Sequence, residues 1–491
     1  MTLKPIKNLL LITVVWALAT GCRPTASSTT APERSESKPS PSLRVLVIDD
    51  VELARAIERQ WMAHGENPLQ VRLLKREEFS SQEQRRLASD VVIYPSALIG
   101  ELASRDRLQP LGEQDLSNSA FQWRDIWELP RLHEIRWGGK TLAVPMGSPT
   151  LMLCYRQDIF DRLALSVPTT WPAYQATLER LSKFDGVREL TSISEKDWQG
   201  GYEPLGGGWA SELLLARAAS YASHPSQFST LFDYRDLKPL IDGPPFLRAL
   251  DELVAAAHLR GMCSDEEWER VRKAQNTDLV RHELLQGNCA MAITWPCPIS
   301  SNELKPAGFP LAFAPLPGSP DVYNFRTASW ERRAGAQSTS VPILGISGRL
   351  GSIVKECRNV TAAMNLLFFL SGPELSGQIS SASKHTTLFR ESHLGQVDRW
   401  LGPQYGSESA RSYGAVIEQS FNQPLCLQSL RIPGRHRYMA VLDEAVWASV
   451  TGKSPPREAL RSAAQQWEKI SDELGRDTQR SAYAQSIGLE P

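Results

Sequence analysis

Beyond its first two dozen residues the sequence lacks any apolar run long enough to cross a membrane as a helix. It also lacks a charge excess, with a formal net charge of −1 over 491 residues. Nucleic-acid binding needs a basic footprint, so that balance argues against such a partner. Neither H-E-x-x-H nor G-x-S-x-G occurs, which removes the zincin and α/β-hydrolase signatures. Ser381-Ala382-Ser383-Lys384 fits S-x-x-K, but no S-D-N or K-T-G accompanies it. The adjacent pairs His133-Glu134 and His282-Glu283 cannot face one metal from a regular helix and read as solvated surface. No metal and no cofactor is expected. Paired carboxylates for glycoside hydrolysis are set by spatial separation, which spacing along the chain does not report.

Large apolar side chains are also missing from residues 23–42, RPTASSTTAPERSESKPSPS. Such a stretch cannot bury enough surface to offset its chain entropy and reads as a disordered tether. Before it stand Lys4, Lys7, the apolar run Leu9–Ala19, and then Leu18-Ala19-Thr20-Gly21-Cys22. A basic start, a short apolar core and small residues describe a secretory signal. The small residues before Cys22 resemble a bacterial lipobox, although its commonest pattern has Leu where Ala19 stands. Residues 1–21 are therefore expected to be a lipoprotein signal peptide, Cys22 the lipidated residue, and 22–42 the tether. The protein is expected to be exported, periplasmic or on the cell surface, anchored to a membrane by its lipid. Six further Cys permit up to three bridges in that compartment. Cys289 and Cys297, flanking a strand and a Pro turn, are the pair favoured by position.

What is present is an ordinary globular composition, 42% hydrophobic and 22% charged. The stretch LRVLVIDDVELARAIERQW opens it, a strand running into Asp49-Asp50 and then a one-sided helix. A two-component receiver begins in this way, but it needs a further carboxylate at the end of a later strand. The next strong strand, Asp90–Tyr94, ends in Pro95-Ser96, so that reading fails. What survives is a βαβαβ pattern: strand 44–48, helix 51–62, strand 70–74, a helix near 81–88 and strand 90–94. It predicts an α/β fold with ligands beyond the carboxyl ends of parallel strands. Asp49, Asp50, Tyr94 and Ser96 fall at such ends. Asp50 suits a helix N-cap, leaving Asp49 as the better ligand candidate.

Three later stretches resemble the family 1 extracellular solute-binding proteins, the maltose-binding-protein-like components of ABC importers. The first is GGKTLAVPMGSPTLMLCYRQDIF followed by LSVPTTW, with Gly139-Lys140, Val144-Pro145, Leu151–Tyr155, Asp158 and Pro168–Trp171 at the matching places. The second is ELLQGNCAMAITWP, a helix, a Gly stop, a strand and an exit aromatic. The third is VPILGISGRLGSIVKECRNVTAAMNLLFFLSGPELSGQIS, a strand, a long apolar helix and a Ser-Gly-Pro-Glu break. The segment 314–340 departs from the pattern by its length and charge.

The resemblance implies a two-lobe periplasmic-binding-protein fold of type II, with discontinuous lobes joined by a hinge. It places lobe 1 at 43–147 plus 315–374 and lobe 2 at 148–314 plus 375–491, with crossings near 145–149, 314–318 and 370–378. It implies a monomer that binds a small solute, a carbohydrate by expectation, without chemical change, and delivers it to an ABC permease. The ligand contacts it implies are Asp49, Tyr94 and Ser96 on the first lobe. Ser148, Trp209 and Trp295 face them from the second lobe or hinge, with Trp330 and Tyr438 as additions. A rival reading has the Gly206–Gly208 run before Trp209 approach an anion, with Arg435, His436 and Arg437 adding positive charge, although an exposed basic turn is the simpler account of those three. A ligand sensor for a membrane receptor and an exported polysaccharide-active enzyme stay open as alternatives.

Overall fold

Val45 and Val47 point to one face of their strand, Leu46 and Ile48 to the other, and all four are buried. A strand apolar on both faces belongs inside a sheet that helices cover on each side. The computed structural model describes residues 42–64, 69–81, 86–184, 198–259, 264–298, 308–334 and 338–489, and it places the strand there. The first sheet has the order 69–74, 43–48, 91–95, 349–353, 144–147. Its first three strands are parallel, and Arg349–Ile353 runs antiparallel between the two neighbours that flank it.

Helix Val51–His64 begins where Asp50 Oδ1 accepts the Leu53 N–H at 3.0 Å, the N-cap bond expected of that residue. Leu53, Ile57 and Trp61 then meet Val45, Val47 and helix Val360–Ser371 in one core. The helix expected near 81–88 lies earlier, at Arg76–Ser81. Glu77 and Glu78 favour its first turn, Phe79 anchors it, and residues 86–90 carry no helix. Residues 82–85 of that expectation lie outside the described residues.

The second sheet has the order 311–315, 152–156, 289–294, 199–202. Helices 277–285 and 406–421 cover one face, and Trp171–Ser182 packs on the other. Behind it stands a helical layer of 210–222, 244–258, 435–450 and 456–473. Ala210–Ala222 is buried at every position, as a helix inside such a layer must be. The two sheets are the centres of two α/β lobes.

The chain first crosses between the lobes at residues 148–151, from strand Val144–Gly147 to strand Met152–Arg156. The second return is much longer than the expected 314–318. After Leu311–Pro315 the chain forms the hairpin Asp321–Asn324 with Ser329–Arg332. That hairpin packs on helices 210–222 and 244–258 of the second lobe, because Trp330 lies against Tyr221 and Arg248. The first sheet is rejoined only at Arg349, so much of 315–348 does not sit with lobe 1. The third crossing is also later than 370–378. Gly372-Pro373 break the apolar helix, but Leu375 and Ile379 keep the next turns in the first-lobe core. The crossing follows within 381–396.

The favoured cysteine pair is not bridged. Strand Cys289–Thr294 lies between Cys289 and Cys297, and about 3.3 Å of rise per residue carries their Cα atoms far beyond disulfide reach. Among the described residues no helix is long and apolar enough to cross a membrane.

Candidate ligand site between the lobes

The second-lobe side of the site is built on a glycine turn. A Cβ at position 206 would lie 2.1 Å from the Val271 carbonyl oxygen, so only glycine permits this approach. Gly207 and Gly208 follow with φ of 65° and 81°, which glycine adopts freely. The turn delivers Trp209 to the start of helix Ala210–Ala222, half-buried. Its ring centroid lies 5.5 Å from that of Trp295, with the planes at 52°. Trp295 leaves strand Cys289–Thr294 fully buried, donates its indole N–H to the Lys384 carbonyl at 3.1 Å, and accepts from Arg281 Nη1 at 3.1 Å. Two of the three tryptophans singled out in the sequence thus form one aromatic pair.

On the first-lobe side Asp49 is exposed at the strand end with φ of 58°. A left-handed backbone is uncommon for a non-glycine residue, though Asp is among those that tolerate it. The Asp49 carbonyl accepts from Arg349 Nη2 at 3.0 Å. Asp50 is buried, with Oδ2 3.0 Å from Arg349 Nε, off the hydrogen-bond direction, and accepting from Ser383 Oγ at 2.6 Å. Burial lowers the Arg349 pKa, and the carboxylates of Asp50 and Asp49 oppose that shift.

Residues 383–385 join the two sides. Ser383 holds Asp50, the Lys384 carbonyl holds Trp295, and Lys384 Nζ stands 3.9 Å from Asp278 Oδ2. His385 is pushed down to about 4, by burial and then by Arg349, so its ring is neutral at pH 7. Arg76 of the first lobe acts electrostatically on Glu212 and Arg435 of the second. Glu212 already pairs with Arg435 and accepts from Ser429 Oγ at 2.9 Å. The Arg435 charge is therefore committed to Glu212, and Arg437 pairs with Glu473.

Several expected contacts lie elsewhere. Tyr94 falls on the core face of its strand, fully buried, with its hydroxyl 2.8 Å from Ser352 Oγ. Ser96 donates to the Ser347 carbonyl at 2.6 Å, and Ser148 donates to Glu134; both serines are about 1% exposed. Glu134 is itself 2% exposed, so the surface reading of His133-Glu134 fails for the carboxylate. Trp330 stands on the outer hairpin between Tyr323 and Tyr221, and Tyr438 is buried with its hydroxyl 3.0 Å from Ser471 Oγ. Ser381 donates to the Gln378 carbonyl while Lys384 faces Asp278, so S-x-x-K forms no pair. The joining segment itself was missed; its one sequence signal is the polar run Ser381–Thr387 shortly after the broken apolar helix.

No known protein-family model matches the chain. Solved structures do. An ABC-transporter solute-binding protein from Agrobacterium radiobacter K84, in complex with ribitol, is 15% identical; the match covers 87% of this chain and 98% of that one, with a TM-score of 0.63. One from Thermotoga lettingae bound with α-D-tagatose is 15% identical over 88% of this chain and all of its own, with a TM-score of 0.64. An ABC substrate-binding protein from Listeria monocytogenes in complex with cycloalternan is 15% identical over 88% and 99%, with a TM-score of 0.61. The chain therefore has the two-lobe α/β fold of the maltose-binding-protein-like solute-binding proteins of ABC importers.

Proposed function

We propose that the protein is a lipid-anchored, extracytoplasmic solute-binding subunit of an ABC importer that captures a sugar, polyol or oligosaccharide between its lobes. Closure about the hinge holds the solute without altering it, and the closed form presents it to a membrane permease. The observation that carries this reading is half-buried Trp209 at the glycine turn, backed by the buried Trp295, which residues 383–385 tie to the first-lobe strand end of Asp49 and Asp50. Flat aromatics suit the C–H faces of a polyhydroxylated ligand, and a few placed polar groups suit its hydroxyls. The fold neighbours described as bound to ribitol, tagatose and cycloalternan support the same ligand class. Only contacts that differ between open and closed forms drive closure, and a solute touching both lobes supplies them. Residues 1–22 carry the export and lipid-attachment part of the proposal, which mass spectrometry of the mature N-terminus tests.

The binding reading is tested by a thermal-shift screen of the protein against sugars, polyols, amino acids and phosphates. A tight binder raises the melting temperature by mass action. Trp209→Ala is expected to abolish that rise while leaving the unliganded melt nearly unchanged. A large loss of stability without ligand would instead make Trp209 a packing residue.

A further inference from the structure

Away from the Trp209–Trp295 pair, the break after helix Val360–Ser371 opens onto two adjoining depressions. One, of about 910 Å³, lies between that helix, the end of helix Val51–His64 and residues 118–122. The other, of about 1210 Å³, lies between residues 374–381 and residues 396–404. Glu374, Gln378 and Gln396 line both, so the two form one continuous groove. The first is close to the upper end for a pocket that holds a drug-sized molecule, about 1,000 Å³, and the second exceeds it. The groove suits an extended ligand.

Its lining is rich in amides. Among the described residues, seven amide side chains line it, against two fully charged residues, Glu374 and Arg399. By contrast, the depression between residues 265–273 and 444–453 is lined mainly by Asp, Glu, Arg and Lys. The described charges of the groove, one of each sign, give it no net charge to favour an ion. An amide offers both donor and acceptor, as a hydroxyl does. Gln122 and Asn365 are exposed and Gln396 is half-exposed, and the side chains of all three make no hydrogen bond within the described protein.

Flat apolar faces stand among these amides. Phe368 and Phe369 are half-buried, whereas Met364, Leu366, Leu367 and Leu370 of their helix are inside. Phe368 stacks on Phe121 at 4.1 Å, and Phe369 meets Trp61 edge-on at 5.5 Å. We propose that this groove is a second binding site, separate from the interlobe site, for the extended chain of a neutral glycan. Residues 374–378 belong to the first lobe, while 399–404 lead into helix Gly406–Phe421 on the second sheet. A chain lying along the groove therefore touches both lobes and is coupled to their relative position.

The test is binding of the full-length protein, its Trp209→Ala variant and its Asn365→Ala/Gln396→Ala variant to an array of neutral and anionic glycans of four or more sugar units. The paired substitution removes exposed amides, and equal melting temperatures verify that it folds. The expected result is neutral-glycan binding that survives Trp209→Ala and falls at least tenfold in the double variant. The proposal is overturned by no neutral-glycan binding, by loss in Trp209→Ala alone, by indifference to the double variant, or by preference for anionic chains. The small-solute melting shift is read separately, so a failed groove leaves the interlobe reading standing.

Discussion

Glu134 shows what burial does to one side chain. It accepts from Ser148 on the first crossing, and a Cβ on Gly348, beside the second, would lie 3.3 Å from its Oε1. Burial pushes its carboxyl up to about 7 from an ordinary 4.5, against the hydrogen bonds of Ser148 and Ser96 and the charge of Arg431. The folded state therefore holds a proton that the unfolded chain has lost between pH 4.5 and about 7. Its contribution is fully present below pH 4.5, declines through that window, and is lost above it. Glu134→Gln is expected to flatten the fall in stability between pH 5 and 7, on the order of 3 kcal/mol in all. Urea titrations at a series of pH values read this, and an unchanged slope would remove Glu134 as its source. Neither the burial nor the partners were legible, since His133-Glu134 looks like an ordinary surface pair. Asp50 was legible as an N-cap because a cap is a local device, three residues from its donor.

At the scale of elements, the hairpin Asp321–Arg332 marks where spacing misled. Its length and charge stood out, but its partner surface lies more than 60 residues away in the chain and was invisible to local pattern. Trp330 is 40% exposed and packs on Tyr221, Tyr323 and Arg248, a peripheral aromatic cluster. Trp330→Ala is expected to cost about 1–2 kcal/mol, for partial burial and ring contacts, and to leave the ligand-induced melting shift intact. A vanished shift would return Trp330 to the binding site. The strands and helices themselves were largely readable, as period-two and period-3.6 patterns with Gly and Pro punctuation. Helix 76–81 was displaced because polar residues there leave a weak period.

For the whole molecule, two lobes joined by three crossings make closure the natural large motion. Saturating a ligand found by the thermal screen is expected to reduce the radius of gyration in small-angle scattering, and Trp209→Ala to prevent it. An unchanged radius with saturated binding would mean a rigid receptor rather than a closing one. The Asp50–Arg349 pair tests the first-lobe frame beneath the site. It is buried, and removing one partner strands the other, so Asp50→Asn is expected to destabilise by about 3–5 kcal/mol, read by urea unfolding. A cost under about 1 kcal/mol would mean the pair is not a structural anchor.

The sequence by itself determined the alternating α/β elements, the order of the motifs and the turn that carries Trp209, because each depends on neighbours within a few residues. It also singled out both members of the Trp209–Trp295 pair, through a glycine turn and a strand exit. Only the tertiary structure decided that those rings meet, that Tyr94, Ser96 and Ser148 are spent on internal hydrogen bonds, and that residues 383–385 tie the lobes together. The reason is physical: which face of a strand is inside, and which donor an acceptor finds, are fixed by chain segments hundreds of residues apart packing at native density.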